Sequence, residues 1–163
     1  MSGLRTVLFD LDGTLIDSID LILASYRYTL EAHGRPPVPD AEWLAGVGTP
    51  LRVQLQRAAQ SAEDLLALVA TYRDYNLANH DQMIRPFPGV ADLVRALPAA
   101  GYRIGVVTSK NRDGTLRGLR LVGLESAIEL LVCADDVTNP KPHPEPVIRA
   151  MEGLSADPTT TIF

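Results

Sequence analysis

The sequence predicts an α/β protein, a Rossmann-like, doubly wound parallel sheet with an inserted all-helical domain. Three observations carry that expectation. Short continuous apolar runs at 6–9, 102–107 and 130–133 read as strands buried on both faces, the habit of parallel sheets. From residue 86 onward such runs alternate with amphipathic helical stretches, as β-α-β units do. Between residues 17 and 82 apolar side chains recur only at helical spacing, with no strand signal.

Taken in order, Thr6-Val7-Leu8-Phe9 forms the first strand and ends on Asp10, after which Gly13-Thr14 breaks it. Asp17 or Ser18 caps a helix whose apolar face is Ile19, Ile22, Leu23, Tyr26 and Leu30, and Gly34 ends it. Asp40 caps a short helix through Trp43 and Leu44, and Pro50 opens the first turn of another. Ser61-Ala62-Glu63-Asp64 reads as a capping box before Leu65, Leu68, Val69, Tyr72 and Tyr75. The next helices carry Val90, Leu93, Val94 and Leu97; then Leu116, Leu119 and Leu121; then Val147, Ile148 and Met151. A last strand is expected at 159–163. The expected domains are a Rossmann-like catalytic core at 1–16 and 83–163 and a helical cap at 17–82.

Composition narrows the classes. The 163 residues are 46% hydrophobic and 21% charged, the balance of a globular chain with room for one ordinary core and an insert. A net charge of -5 argues against general nucleic-acid binding but leaves room for a locally positive pocket. No apolar run is long enough to span a bilayer, and the start, Met1-Ser2-Gly3-Leu4-Arg5, lacks the apolar core of a leader. One cysteine, Cys133, allows neither an internal disulfide nor a multi-thiolate zinc site, so a cytoplasmic location is expected.

Ligands of open parallel sheets bind beyond the carboxyl ends of the strands. Those ends carry Asp10 and Asp12, then Thr108 and Ser109, then Asp135 and Asp136, with Lys141 a few residues on. Two carboxylates, a hydroxyl and an ammonium suit phosphoryl transfer: a carboxylate attacks phosphorus while the hydroxyl and cation hold the phosphate oxygens. An anionic nucleophile meeting an anionic phosphate needs charge neutralised, a task for Mg²⁺ on hard oxygen ligands. Lys110 and Asn111, beside Thr108, are candidates to line the pocket, and Arg52 is a candidate to meet a substrate anion from the helical block. His33 and His80 lie near expected helix ends, where a capping or dipole role is the default.

The segment Phe9-Asp10-Leu11-Asp12-Gly13-Thr14-Leu15 resembles the first motif of the haloacid dehalogenase-like hydrolases. Val106-Val107-Thr108-Ser109-Lys110 resembles their second motif and Lys141-Pro142-His143-Pro144-Glu145 their third, in the same order along essentially the whole chain. Gly-Val-Gly-Thr-Pro-Leu-Arg, ending at Arg52, and the Val-Val-Thr-Ser-Lys stretch ending at Lys110 are most similar to the phosphoglycolate phosphatases and their pyrophosphatase relatives.

The resemblance implies a Mg²⁺-dependent phosphatase acting on a small phosphorylated metabolite. Asp10 would be the nucleophile, and Asp12 the acid and then the base. Thr108 would bind the transferring phosphoryl group, and Lys141 would balance charge. Gly13, Thr14, Arg52, Ser109, Lys110 and Asn111 would contact substrate, and Asp10 with the Asp12 backbone carbonyl would bind the metal. A carboxylate at position 12 favours phosphotransfer over carbon–halogen cleavage. The family's fourth motif, with a further acidic metal ligand, does not follow Thr161-Ile162-Phe163, and the preferred expectation is a piece of a longer enzyme rather than a natural short form. Two alternatives stand beside the phosphatase: a sugar phosphomutase with the same nucleophile, and a catalytically silent phosphometabolite-binding protein. Oligomeric state and substrate are not legible in the residues.

Overall fold

The computed structural model describes residues 3–163; Met1 and Ser2, the first residues of the start read above as lacking a leader, lie outside the described residues. The chain divides into two units, Met1–Asp17 with Arg85–Phe163, and Ser18–Ile84. The first holds strands β1 (Thr6–Phe9), β2 (Ile16–Asp17), β3 (Arg85–Pro86), β4 (Arg103–Val107), β5 (Leu130–Val132) and β6 (Thr161–Ile162). The second holds helices α1 (Ile19–Ala32), α2 (Asp40–Leu44), α3 (Leu51–Gln56) and α4 (Ala62–Met83). Helices α5 (Val90–Ala99), α6 (Arg112–Leu121) and α7 (Glu145–Gly153) return to the first.

β1 lies inside a four-stranded parallel sheet of order β5-β4-β1-β6. Val7 stands opposite Ile104 on one side and Ile162 on the other. The chain passes from β1 through β4 to β5 and then returns to the far side of β1, so the winding reverses at β1 itself. In such sheets the crevice opens at this switch point, and Asp10 is the first residue beyond that strand. α7 packs on β4 and β5, and Leu8, Val107 and Val132 form a core with its Ala150 and with Leu154. Gly105 is small because a Cβ there would stand 2.8 Å from Leu8 Cδ2 and 3.2 Å from Leu154 Cδ1.

The second unit has its own apolar centre, built from Ile22, Leu23, Tyr26 and Leu30 of α1, Trp43, Leu55, and Leu65, Leu68, Val69 and Tyr72 of α4. Tyr26 stacks on Trp43 at 4.0 Å and meets Tyr72 at 4.8 Å, an arrangement that adds ring–ring attraction to area burial. Burial pushes the Tyr26 phenol well above its ordinary range. α1 ends as its glycine implies: Gly34 takes φ +61°, and Arg35 N–H reaches back to the Leu30 carbonyl at 2.8 Å.

Several local expectations are corrected. Pro39, not Asp40, occupies the N-cap of α2, because the Asp40 carboxylate pairs with Arg27 at 3.0 Å instead. Ser18 stands at the N-cap of α1 without a side-chain cap bond, and Asp17 lies in β2. Pro50 is the N-cap of α3 rather than a residue of its first turn. Ser61 does accept from Asp64 N–H at 3.1 Å, but Asp64 turns its carboxylate to Gln60 N–H and Arg35 rather than closing a box. The antiparallel pair β2–β3 went unforeseen, since two-residue strands holding Pro86 and charged neighbours show no periodicity. Leu93, Leu121 and Ile148, placed on apolar faces by their spacing, are exposed. β6 begins at Thr161, after a 3₁₀ turn at Pro158–Thr160. Among the described residues no helix is long and apolar enough to cross a membrane.

Candidate active site

Beyond β1 the backbone turns tightly around one carbonyl. Leu11, wholly buried, accepts from the amides of Thr14, Leu15 and Ile16 at 3.2, 2.9 and 3.1 Å. Gly13, at φ +76°, donates to the Ile16 carbonyl at 2.9 Å, a conformation few side-chain-bearing residues adopt. The buried Leu11 anchors the turn from within, so Asp10 and Asp12 leave a rigid loop. Gly13 and Thr14 are exposed at its tip.

Asp10 is held at both oxygens. Oδ1 accepts from Leu11 N–H at 2.7 Å and Oδ2 pairs with Lys141 Nζ at 2.7 Å. Lys141 also donates to the Val107 carbonyl, at the end of β4, at 3.2 Å, and its ammonium lies 5.6 Å from the Phe163 ring. The loop that delivers Lys141 is clamped by Glu145, whose carboxylate accepts from Thr138 N–H at 2.8 Å and from the backbone and side-chain amides of Asn139 at 2.9 and 2.8 Å. Those bonds, the Thr138 amide foremost, hold the Glu145 carboxyl below its usual range.

Thr108 follows β4, buried, its amide bonded to the Val132 carbonyl at 2.9 Å. Its hydroxyl oxygen accepts from Lys110 N–H at 3.1 Å, which leaves the hydroxyl proton available to donate. Lys110 sends its ammonium to Asp12, 3.1 Å from Oδ1 and 3.3 Å from Oδ2. Ser109 is half-buried beside them, and Asn111 is the N-cap residue of α6. The structure therefore gathers Asp10 with Lys141 and Asp12 with Lys110, two carboxylate–ammonium pairs on one set of strand ends. Arg52 is different: it is exposed on α3, in the second unit.

Asp135 and Asp136 serve the scaffold. Asp135 accepts from Arg112 N–H at 2.7 Å, and Asp136 pairs with the Arg112 guanidinium at 2.6 Å and accepts from Cys133 N–H at 2.7 Å. Burial pushes the Asp136 carboxyl up, but Arg112 and the Cys133 amide more than offset it and hold it below the usual range. Burial raises the Cys133 thiol. His33 meets Thr71 Oγ1 at 2.8 Å, and His80, buried within α4, meets Asp81 at 2.7 Å. His143 accepts from Glu145 N–H at 3.1 Å.

The sequence offers Lys110 as a substrate contact and Glu145 only within the third motif; the structure pairs Lys110 with Asp12 and makes Glu145 the clamp of the loop that carries Lys141. The ion pair of Lys110 joins residues 98 apart, and no local pattern announces it. For Mg²⁺ the fit rests on donor chemistry. The Asp10 carboxylate and the Asp12 backbone carbonyl are hard oxygens, and Mg²⁺ commonly takes one or two carboxylates with water and phosphate oxygens for the rest. Two such donors fit as a partial site. Among the described residues no group of three His, Cys, Asp or Glu side chains gathers to complete a protein cage.

The chain is similar in sequence and fold to known proteins. The chain is 38% identical over 160 residues to pyrophosphatase PpaX of Halalkalibacterium halodurans, covering 98% of this chain and 74% of that one. It is 40% identical over 162 residues to the PpaX of Bacillus pumilus, covering 99% and 74%. Among solved structures it superposes on a haloacid dehalogenase-like hydrolase from Bacteroides fragilis with a TM-score of 0.88 at 27% identity, over 97% of this chain and 76% of that one. A protein assigned as a phosphoglycolate phosphatase from Lactobacillus plantarum matches with a TM-score of 0.85 at 27% identity, over 98% and 76%. The model of the family described as haloacid dehalogenase-like hydrolase matches residues 7–163, and with the fold, the strand-end carboxylates and these relatives in agreement, the chain belongs to that hydrolase family.

Proposed function

We propose that the protein is a cytoplasmic, Mg²⁺-dependent phosphatase that hydrolyses a small phosphorylated metabolite, phosphoglycolate-like in size and charge, through an aspartyl-phosphate on Asp10. The observation that carries this reading is the 2.7 Å pairing of Asp10 Oδ2 with Lys141 at the carboxyl end of β1, with Thr108 at the end of the neighbouring β4. The relatives named as phosphatases and pyrophosphatases support the reaction class.

In the first half of the reaction a carboxylate oxygen of Asp10 forms a bond to phosphorus as the ester P–O bond breaks. The departing oxygen takes a proton from Asp12. Thr108 donates its hydroxyl proton to a phosphoryl oxygen, and Lys141 offsets charge between nucleophile and phosphate. In the second half Asp12 takes a proton from water, whose oxygen attacks phosphorus and releases inorganic phosphate from Asp10. Asp10 and the Asp12 backbone carbonyl would hold Mg²⁺, which when bound neutralises phosphate charge. Arg52 would meet a substrate anion, as the family resemblance implies.

A second reading, inorganic pyrophosphate as substrate, is favoured by the 38–40% identity to proteins named pyrophosphatase PpaX. Phosphate release measured from phosphoglycolate, pyrophosphate and sugar phosphates, with Mg²⁺ and with chelator, separates the readings. Trapping of a phosphoryl adduct on Asp10 is the expected result. Metal-independent binding of a phosphate mimic without turnover, or sugar-phosphate interconversion without phosphate release, would replace the phosphatase reading by one of its rivals.

A further inference from the structure

Gly114 is the third residue of α6, a place where glycine weakens a helix and gives nothing back locally. Its φ is not positive, so the backbone does not require glycine there. Space does. A Cβ on residue 114 would stand 3.2 Å from Lys110 Cε and 3.5 Å from Lys110 Cγ, and 2.9 Å from Asn111 Oδ1. The lysine stem thus lies along the bare backbone of the helix's first turn. Its main chain is fixed independently, since the Lys110 carbonyl accepts from Ala134 N–H at 2.9 Å. From that fixed base the ammonium lies 3.1 and 3.3 Å from the two oxygens of Asp12, so that one oxygen can accept from it while the other carries the transferred proton.

We propose that Gly114 is a positioning residue: the space left by its missing side chain seats Lys110, and Lys110 in turn orients the Asp12 carboxylate for proton transfer. The proposal rests on the role given to Asp12 above. It assigns Lys110 to the proton-transfer group rather than to substrate. It also separates two properties that usually move together, because a side chain at position 114 improves the helix while it spoils the seat. Alanine's Cβ pushes the Asn111 amide end aside and already crowds the Lys110 stem at 3.2 Å; valine takes the volume that holds that stem.

The test compares Gly114→Ala, Gly114→Val, Lys110→Met and the double variant Gly114→Val/Lys110→Met. Substrates are an alkyl phosphate, whose leaving oxygen needs a proton, and p-nitrophenyl phosphate, whose leaving group departs without one. Gly114→Ala is expected to raise the melting temperature while lowering alkyl-phosphate turnover. Gly114→Val should cost on the order of tenfold in phosphoenzyme formation from the alkyl phosphate, within the roughly 10²–10⁴-fold that positioned proton transfer supplies. The loss on the aryl substrate should be smaller. Lys110→Met should show the same selectivity, and the double variant should be no worse than Lys110→Met alone, since both act through one contact. Equal losses on the two substrates, or additive losses in the double variant, overturn the proposal. If the parent turns over no phosphate ester, the phosphatase reading falls by itself. The proposal is then judged by the ¹H–¹⁵N resonance of the Lys110 ammonium, assigned with Lys110→Met: its loss in Gly114→Val supports the seat, and its persistence unchanged refutes it.

Discussion

Both oxygens of the Asp10 carboxylate are engaged, one by an amide in its own turn and one by Lys141. Removing its charge therefore removes the proposed nucleophile and the partner of a half-buried ammonium together. Asp10→Asn is expected to lower kcat for phosphate release on the order of 10⁴-fold or more, while far-ultraviolet dichroism stays unchanged. Thr108→Val keeps the shape and deletes the hydroxyl, and should cost about 10²–10³-fold in kcat, the usual weight of one transition-state donor. Cys133 gives the opposite kind of forecast. Its thiol is buried and pushed up, so labelling by iodoacetamide at pH 8 should be slow in the folded protein and rapid in denaturant. At this scale the sequence was legible in placement, since Asp10 and Thr108 do stand directly after β1 and β4. It was not legible where a partner arrives from far along the chain. Nothing near Asp12 names Lys110, and nothing near Asp40 says that Arg27 will take its carboxylate from the helix end.

The elements around the site are tied by carboxylates bound to other parts of the chain. Asp136 links α6, through Arg112, to the end of β5, through the Cys133 amide. Its carboxyl titrates lower in the folded chain than its ordinary 3.8, so the stability it lends is whole above that value and drains away as the pH falls through the lower folded one. Asp136→Asn should melt at a lower temperature than the parent at pH 6, and the gap should narrow by pH 3 in thermal scans. Strand packing sets a different limit. Gly105→Ala forces a methyl against Leu8 and Leu154 inside the sheet, and chemical denaturation should show a loss of about 1–3 kcal/mol. β1, β4 and β5 were readable as short apolar runs, each ended by a polar loop or turn and too brief for a helix. The apolar letters of α5, α6 and α7 misled in part: helical spacing says which residues share a face, not how far round that face the sheet reaches, and Leu93, Leu121 and Ile148 fall outside it.

On the scale of the whole molecule, each unit carries its own apolar centre, the Tyr26–Trp43 stack in one and the Leu8–Val107–Val132 layer in the other. Trp43→Ala should remove about 3–5 kcal/mol from the helical unit. Amide hydrogen exchange is the measurement: residues of α1 and α4 should lose protection by far more than those of β1 and β4. Protection lost equally in both would mean that the two units unfold as one. The chain leaves the sheet-bearing unit after Asp17 and comes back at Arg85, and these two residues face each other in the β2–β3 ladder. Neighbouring antiparallel strands are about 5 Å apart, a gap that a two-residue hairpin turn closes. Residues 18–84 thus behave as a removable cassette: an Asn-Gly splice from Asp17 to Arg85 should leave a miniature protein that still assembles its parallel sheet, and foreign inserts with closely spaced ends could be exchanged at the same doorway.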